Sequence, residues 1–304
     1  MTDCECEPQK RKRVCRKLSC RISFPELDCL DMLEIKFFLI LRTMPWTFAH
    51  PAAVLPLRRR CPVYFSFAAL VIGSMTPDLG YYAHFSRLAR FAHTFPGSIL
   101  ICLPTGLTLL AALYILRKPL WFVLPQPHRA VLEPLVVTPL SWRASRLVAA
   151  ATSVVLGAWT HICWDSFTHR SGWVVKHVAF LQLPAFRLGL TVFSTYEILQ
   201  HLSTLVGTAA LVAVYCSWLR RSRPVDSLHV CQDWHEFWRY ALLAALIATA
   251  AMIALPAAAE NAKSLQGYLA IRVFLVRAVV YGTVAFIPLF IACSLLCYAV
   301  RREI

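Results

Sequence analysis

The sequence predicts an all-α, polytopic helical membrane protein with about five to six transmembrane helices, one of them a short or re-entrant segment. The chain has 304 residues, of which 58% are hydrophobic and only 15% are charged. A typical soluble domain is about 45–50% apolar and about 25% charged. The apolar residues of this chain also arrive in long blocks, and its mean hydropathy is +0.58. Too little polar sequence remains for a large soluble domain.

Five apolar blocks are long enough to cross the bilayer, since about 20 helical residues span about 30 Å of hydrocarbon. They are residues 97–116, 147–164, 202–219, 240–259 and 273–300. The apolar segment 64–75 is shorter and ends at Thr76-Pro77-Asp78, which predicts a half-helix or a tilted helix. The segment before it, residues 44–57, predicts a short membrane-surface or half-buried helix that is opened by Pro51.

The first 43 residues differ from the rest, so we predict two regions: a basic, cysteine-containing extension over 1–43 and a helical transmembrane domain over 44–304. The extension carries the run Lys10-Arg11-Lys12-Arg13 and five of the 12 cysteines. Two interpretations stay open for it: a disordered or helical basic tail, or an extension of the gene model upstream of a natural start at Met44. The cysteine spacing predicts neither a zinc site nor a disulfide framework.

The net charge of +15 comes from basic residues that flank the apolar blocks. Cytoplasmic loops that face anionic lipid have this composition, so the predicted partner is a lipid bilayer and not nucleic acid. Eleven basic residues lie in 117–146, 220–239 and the C-terminus, against seven in 79–96, 165–201 and 260–272. This asymmetry predicts a protein of the bacterial cytoplasmic membrane whose C-terminus is cytoplasmic.

Chemistry is suggested by acidic residues that stand beside histidines at the ends of apolar segments. After residue 43 the chain has only nine acids, and Asp78 and Asp165 are two of them. Ionisable groups at membrane depth are costly, which makes them functional candidates. His161, Asp165 and His169 are spaced i, i+4, i+8 and therefore share one helix face. Such a face can grip a cation if other segments add ligands. The candidates are His50, Asp78, His84, His93 and His201.

The predicted topology groups most of these candidates on one side of the membrane. His50 is the exception: it joins them only if 64–75 is re-entrant or if the preceding helix dips into the membrane. Structural roles remain alternatives. Asp78 could cap a helix, and Asp165 could serve only as a hydrogen-bond partner of His161.

Specific runs resemble a family of uncharacterised bacterial membrane proteins, number 4184 in the domain-of-unknown-function series. The resemblance covers residues 44 to about 220 and rests on Phe48-Ala49-His50-Pro51, Gly73-Ser74-Met75-Thr76-Pro77-Asp78, Phe91-Ala92-His93-Thr94, Thr160–His169 and Leu199-Gln200-His201. The order His, Pro-Asp, His-Thr and His-x3-Asp is also distantly similar to membrane-bound metal-dependent hydrolases. That similarity implies a metal site from His50, Asp78, His93, His161 and Asp165, with His169, Gln200 and His201 nearby. The chain lacks a clear acid-rich helix between Asp78 and His93, so the number of metal ions stays open.

The expected function is metal-dependent hydrolysis of a lipid-linked or head-group phosphoester or ester. A mixed histidine and carboxylate site suits zinc, manganese or iron better than calcium, and such an ion activates water. Asp78 or Asp165 is the expected general base, and His169 is a third candidate catalytic residue. Arg87, Arg90 or Arg170 could bind phosphate or merely anchor the head-group region. An ion-coupled transporter and a non-catalytic membrane scaffold are the alternatives.

Overall fold

Five long apolar helices dominate the computed structural model, which describes residues 47–61, 64–138, 143–188, 191–222 and 234–303. The segments long and apolar enough to cross a membrane are Phe95–Phe122, Ala144–His177, Thr195–Arg221, Glu236–Ala262 and Gly267–Val300. Each contains one of the five predicted blocks, so the predicted polytopic helical membrane fold is confirmed. The predicted extension over residues 1–43 lies outside the described residues.

Twelve α-helices and two strands make up the described chain, together with short 3-10 and π segments. The α-helices are α1 (Phe67–Gly73), α2 (Leu79–Tyr82), α3 (Ser86–Ala92), α4 (Phe95–Gly97), α5 (Leu103–Phe122), α6 (His128–Val137), α7 (Ala144–Thr168), α8 (Trp173–His177), α9 (Ala179–Gln182), α10 (Thr195–Arg221), α11 (Trp234–Ala262) and α12 (Gly267–Glu303). The 3-10 helices Thr47–Arg60 and Thr76–Asp78 flank α1, and the π-helix Ser98–Cys102 joins α4 to α5.

A small hairpin interrupts the otherwise helical chain. Strands β1 (Pro184–Leu188) and β2 (Thr191–Ser194) pair antiparallel in the connection between α9 and α10. Their register sets Phe186 opposite Phe193 and Arg187 opposite Val192. The β-branched and aromatic residues of β2 favour a pleated strand over a helix.

The first helix, Thr47–Arg60, runs alongside the long helices and is not a surface helix. It packs against α7 and α10 and buries His50 and Val54. Pro51 and Pro56 both lie inside it, so the prediction that Pro51 opens the helix was wrong. Because each proline lacks an N–H donor, a regular α-helical ladder cannot run through this segment, which adopts the 3-10 form.

The chain reverses after Thr47–Arg60 and returns through α1, which brings His50 and Asp78 to the same end of α7. The guanidinium of Arg58 lies 5.9 Å from the ring centre of Phe67, at the start of α1. The other end of α1 lies beside His161, because the carbonyl of Ser74 is 2.8 Å from His161 Nδ1. Of the two arrangements that reconcile His50 with the other candidates, the structure has the one in which the preceding helix runs among the spans.

Glycines allow α1 to lie almost in backbone contact with α7. A Cβ atom on Gly73 would be 2.2 Å from the carbonyl oxygen of Val154, and one on Gly157 would be 2.3 Å from that of Leu70. Small residues at helix interfaces permit such close approach in membrane proteins. The backbone amide of Ser66 also donates to Ser153 Oγ at 3.0 Å. This tight pairing fixes the position of the Ser74 carbonyl.

An ion-pair cluster ties the opposite end of the molecule together. Glu236 of α11 pairs with Arg129 of α6 and with Arg239, at 2.7 Å in each case. The backbone amide of Gln126 donates to Glu236 Oε2 at 3.0 Å, and Arg239 Nε donates to the carbonyl of Phe122 at 3.1 Å. The carboxylate of Glu236 is therefore well supplied with donors, as a buried charge requires.

Candidate metal centre

Two carboxylates and two imidazoles from three segments converge at the Thr168 end of α7. Asp78 ends the second 3-10 helix, His93 follows α3, and His161 and Asp165 stand on successive turns of α7. One ligand atom from each residue lies within 4.8 Å of every other. His161, Asp78 and Asp165 are buried, and His93 is half-buried. We call these four residues the metal-ligand cluster.

The spacing of the ligand atoms matches a tetrahedral ion. His93 Nε2 lies 3.3 Å from Asp78 Oδ1 and 3.4 Å from Asp165 Oδ2. His161 Nε2 lies 3.5 Å from Asp78 Oδ1 and 3.2 Å from Asp165 Oδ2. Ligand atoms about 2.1 Å from a tetrahedral zinc ion are separated by about 3.4 Å. The four atoms therefore stand where ligands of one such ion would stand.

Hydrogen bonds fix the orientation of both imidazoles in the cluster. His93 Nδ1 lies 2.7 Å from the carbonyl of Ala89, and His161 Nδ1 lies 2.8 Å from the carbonyl of Ser74. A carbonyl only accepts, so each Nδ1 carries a hydrogen and each Nε2 presents its lone pair unless the ring is protonated. The two Nε2 atoms face each other at 3.3 Å. A proton or a cation must lie between them, and backbone-anchored histidines of this kind are typical metal ligands.

Protonation offsets part of the negative charge of the cluster when no ion is bound. Burial alone would lower the pKa of His93, but the hydrogen bonds with Asp165 and Asp78 outweigh it and raise this pKa to about 9. Burial alone would raise the pKa of the Asp78 carboxyl, whereas His161 and His93 hold it well below its usual range. The carboxylates are therefore ionised, and metal binding would displace a proton.

His50 stacks on the cluster without joining its four ligand atoms. Its ring lies 3.8 Å from that of His161, centre to centre, at an interplanar angle of 26°. Burial, with the neighbouring charge of His161 second, lowers the pKa of His50 to about 3, so the ring is neutral. Within the described part of the chain, neither ring nitrogen has a hydrogen-bond partner, although the residue is only 4% exposed. Buried polar atoms without partners are costly, and this pair indicates a ligand that His50 would contact.

Further contacts orient the carboxylates from behind. Thr47 Oγ1 donates to Asp78 Oδ2 at 2.7 Å, and the hydroxyl of Tyr82 lies 3.3 Å from Thr47 Oγ1. The outer oxygen of Asp165, Oδ1, is 3.3 Å from His169 Nδ1 and 3.7 Å from His50 Nε2. These distances give Asp78 a fixed orientation and leave Asp165 paired with a histidine at the edge of the cluster.

Gln200 and His201, which were expected nearby, are not among the four residues whose ligand atoms cluster. Gln200 is buried, and its backbone carbonyl accepts from Ser203 and Thr204. His201 is exposed, and its Nε2 lies 3.4 Å from the hydroxyl of Tyr268. The structure also adds groups that sequence reasoning missed, namely Thr47 and the Ser74 carbonyl. Thr47 stands directly before the run Phe48-Ala49-His50-Pro51, and that position was its only signal in the sequence. A backbone carbonyl leaves no signal in a sequence.

An open cavity of about 450 Å³ adjoins the cluster and gives it access to a substrate. Asp78, His93 and Asp165 form part of its wall, so the ligand atoms are reachable from it. The rest of the lining is Tyr81, Arg90, Ile162, Ser166, His169, Ser171, Gly172 and Trp173. Burial, reinforced by the charges of Asp78 and Asp165, raises the pKa of Tyr81 to about 12. Its hydroxyl therefore stays neutral and can donate a hydrogen bond.

Residues 44–295 match a protein family described as Domain of unknown function (DUF4184). The chain belongs to this family. No curated protein and no solved structure matches it. The predicted resemblance to DUF4184 is thus confirmed, and the match begins at the predicted boundary between the extension and the membrane domain. The description of DUF4184 names no activity, so the chemistry of the site has to come from its geometry.

Proposed function

We propose that this DUF4184 protein is a membrane-embedded, metal-dependent hydrolase of a lipid-linked or head-group phosphoester or ester. The observation that carries the proposal is a set of four ligand atoms in which each imidazole Nε2 lies 3.2–3.5 Å from each carboxylate oxygen, with the other nitrogen of each imidazole held by a backbone carbonyl. Such anchoring is typical of first-row metal sites. The adjoining cavity supplies the access that catalysis needs and that a purely structural site does not.

The donor set favours zinc, manganese or iron as the cofactor. Two imidazole nitrogens and two carboxylate oxygens suit these ions, whereas calcium prefers six to eight oxygen ligands. Asp78 Oδ1, His93 Nε2, His161 Nε2 and Asp165 Oδ2 would hold the ion. When bound, it would act as a Lewis acid and bring the pKa of water close to neutrality.

His169 is the best candidate for proton transfer. Asp78 uses one oxygen towards the imidazoles, and its other oxygen accepts from Thr47. This leaves Asp78 little capacity to act as a base. His169 lines the cavity, and its Nδ1 lies 3.3 Å from Asp165 Oδ1 and 3.2 Å from Thr168 Oγ1. A histidine beside a carboxylate can take a proton from water and return it to a leaving group.

Other groups on the cavity wall suit an anionic substrate. Arg90 and Tyr81 both line it, and together they offer a cationic and a neutral donor to a phosphate oxygen. Near them Asp78 and Asp165 hold negative charge, which would repel a bare phosphate unless a cation is bound. Arg90 and a bound ion would therefore have complementary roles. The ion would neutralise the carboxylates, and Arg90 would orient the substrate.

Metal content tests this proposal directly. The protein purified in detergent should hold close to one zinc, manganese or iron per chain by elemental analysis, and His161→Ala and Asp165→Ala should lose it. His177→Ala is the matched control, because His177 lies outside the cluster and its Nδ1 bonds to the Trp173 carbonyl. Phosphate release from phosphatidic acid in mixed micelles should depend on the same residues. A protein that takes up none of these ions after metal incubation would overturn the proposal.

A transport assay separates the hydrolase from its main rival. Both classes could bind an ion, but only a transporter moves solute across sealed vesicles in response to an ion gradient. We expect no such flux with the substrate that the enzyme hydrolyses. Gradient-dependent uptake without product formation would assign the cluster to ion coupling instead.

We also propose that the site faces away from the cytoplasm of a bacterial cell, with the C-terminus cytoplasmic. The basic excess supports this orientation, and Arg58 beside Phe67 adds positive charge at the end of α1 remote from the cluster. A fluorescent protein fused after residue 304 should fluoresce, because it folds in the cytoplasm. An active alkaline phosphatase at that position would reverse the assignment.

A further inference from the structure

A second cavity, of about 240 Å³, lies on the other side of His50 from the cluster. It lies between the helix Thr47–Arg60, α7 and α10, and we call it the lateral groove. Its lining is Ala49, His50, Ala52, Ala53, Trp164, Ser203, Thr204, Val206, Gly207 and Ala210. Four alanines and one glycine among these ten residues leave room that larger side chains would fill. His50 belongs to this wall, and His50 in turn contacts His161 and Asp165.

The lateral groove extends from the cluster towards the middle of the membrane. On α10 it runs from Ser203 to Ala210, about 10 Å of helix at about 1.5 Å per residue. On the opposite wall it runs from Ala49 to Ala53, away from the end of α7 that holds the cluster. Both walls recede from the cluster in the same direction, as an acyl chain recedes from its head group in a bilayer.

His50 stands between the lateral groove and the first cavity, since its Nε2 lies 3.7 Å from Oδ1 of Asp165, which lines that cavity. Its ring nitrogens are buried and have no hydrogen-bond partner among the described residues, and an imidazole ring carries at least one N–H. A hydrocarbon chain alone would leave both nitrogens unsatisfied. An oxygen at the join between a head group and its chain would accept the N–H of His50.

We propose that the lateral groove holds an acyl chain of a lipid phosphoester whose phosphate enters the cavity beside Arg90. This inference rests on the proposed function and narrows its substrate to a lipid that enters sideways from the bilayer. The polar cavity accommodates the anionic head group, the apolar groove accommodates the chain, and the side chains of His50 and Asp165 lie between the two. Entry from within the membrane spares the chain the cost of passing through water.

Photocrosslinking tests the position of the chain without relying on catalysis. The full protein is reconstituted in phosphatidylcholine vesicles that contain a small fraction of phosphatidic acid with a diazirine on its acyl chain. Peptides carrying residues 49–53 and 203–210 should be labelled above all others. The variants Ala210→Phe and Ala53→Phe fill the groove from opposite walls. Each should reduce this labelling about tenfold, the effect of losing about two buried methylene groups.

The matched control is Ala209→Phe, the same change on the neighbouring residue of α10. Ala209 is exposed and is not part of the groove lining, so this variant should label like the wild type. All three variants should keep their bound metal, since none of the three alanines contacts the cluster. Labelling spread evenly over all spans, or unchanged in both filled variants, would overturn the inference.

Phosphate release measured in the same vesicles distinguishes this inference from the proposed function. Suppose that the groove is labelled, that Ala210→Phe and Ala53→Phe both abolish this labelling, and that no phosphoester is hydrolysed. This result would support the lipid site and contradict the proposed hydrolase function. Hydrolysis of p-nitrophenyl phosphate without groove labelling would support the hydrolase function and contradict the lipid site. With both correct, the filled variants lose activity on the long-chain lipid and keep it on the small soluble substrate.

Discussion

A methyl group at position 157 should weaken the metal centre although Gly157 contacts none of its ligands. In Gly157→Ala the new Cβ would lie 2.3 Å from the Leu70 carbonyl oxygen and 2.8 Å from the Ser74 amide nitrogen. A carbon–oxygen contact needs about 3.3 Å, so α1 must move about 1 Å from α7. The bond from His161 Nδ1 to the Ser74 carbonyl, now 2.8 Å, would lengthen to about 3.8 Å, beyond the limit of about 3.2 Å.

The expected cost of that lost hydrogen bond is about 10- to 100-fold in metal affinity, or about 1.4–2.8 kcal/mol. Competition for zinc between the purified protein and a chromogenic chelator of known affinity measures it. Helix propensity acts in the opposite direction, since alanine is favoured over glycine by about 1 kcal/mol within a helix. A loss of zinc affinity in Gly157→Ala therefore cannot be attributed to destabilisation of helix α7.

Gly282→Ala on α12 is the matched control. Its Cβ would lie 3.9 Å from that of Ala254, an ordinary contact, so the variant should bind zinc like the wild type. The reasoning fails if Gly157→Ala keeps wild-type affinity, or if the control loses as much. In either case the close approach of α1 and α7 would not be what orients His161.

Three further predictions concern the carboxylates. Thr47→Val removes the donor to Asp78 Oδ2 and should lower zinc affinity about 10- to 100-fold, with full stoichiometry at saturating zinc; unchanged affinity in the chelator competition would contradict it. Chelation should lower the Tm, because an ion present at 100 times its Kd stabilises the folded state by about 2.7 kcal/mol; readdition of zinc should restore the Tm, whereas calcium should not. Glu236→Gln leaves Arg129 and Arg239 without their carboxylate and should destabilise the fold by about 3–5 kcal/mol in denaturant unfolding, with metal stoichiometry unchanged; a loss of metal would show that the two ends of the molecule are coupled.

The five spans were predictable because length and hydropathy suffice for a helix whose partner is lipid. A short helix over 44–57 was predicted as well, but its position against the long helices was not, since two prolines and three terminal arginines lower its hydropathy below that of a span. Contacts with α7 and α10 bury it instead. Strand β2 was missed for a related reason: its four residues are too few to show an alternating pattern.

The candidate site was predictable where one helix contains it. His161 and Asp165 share a face of α7 because of their spacing alone. The position of His201 was less well defined, because hydropathy gives the depth of a residue but not the direction of its side chain about the helix axis. It was grouped with the others by depth, and the structure turns it towards Tyr268. The stacking of His50 on His161 depends on the chain reversal before α1. No local sequence pattern predicts that reversal.

That chain reversal also constrains the order in which the protein can be made. Helix α1 has seven residues, about 10 Å of helix, and cannot cross about 30 Å of hydrocarbon unaided. The segments carrying His50 and Asp78 leave the ribosome before Thr195–Arg221, the helix against which Thr47–Arg60 packs. Chains are synthesised from the N-terminus. The segments that carry His50 and Asp78 are therefore made before the helix Thr195–Arg221, which completes their surroundings. Under the proposed function, metal loading would consequently be a late step of biogenesis: a nascent chain arrested before residue 195 would carry every residue of the metal-ligand cluster yet bind zinc poorly.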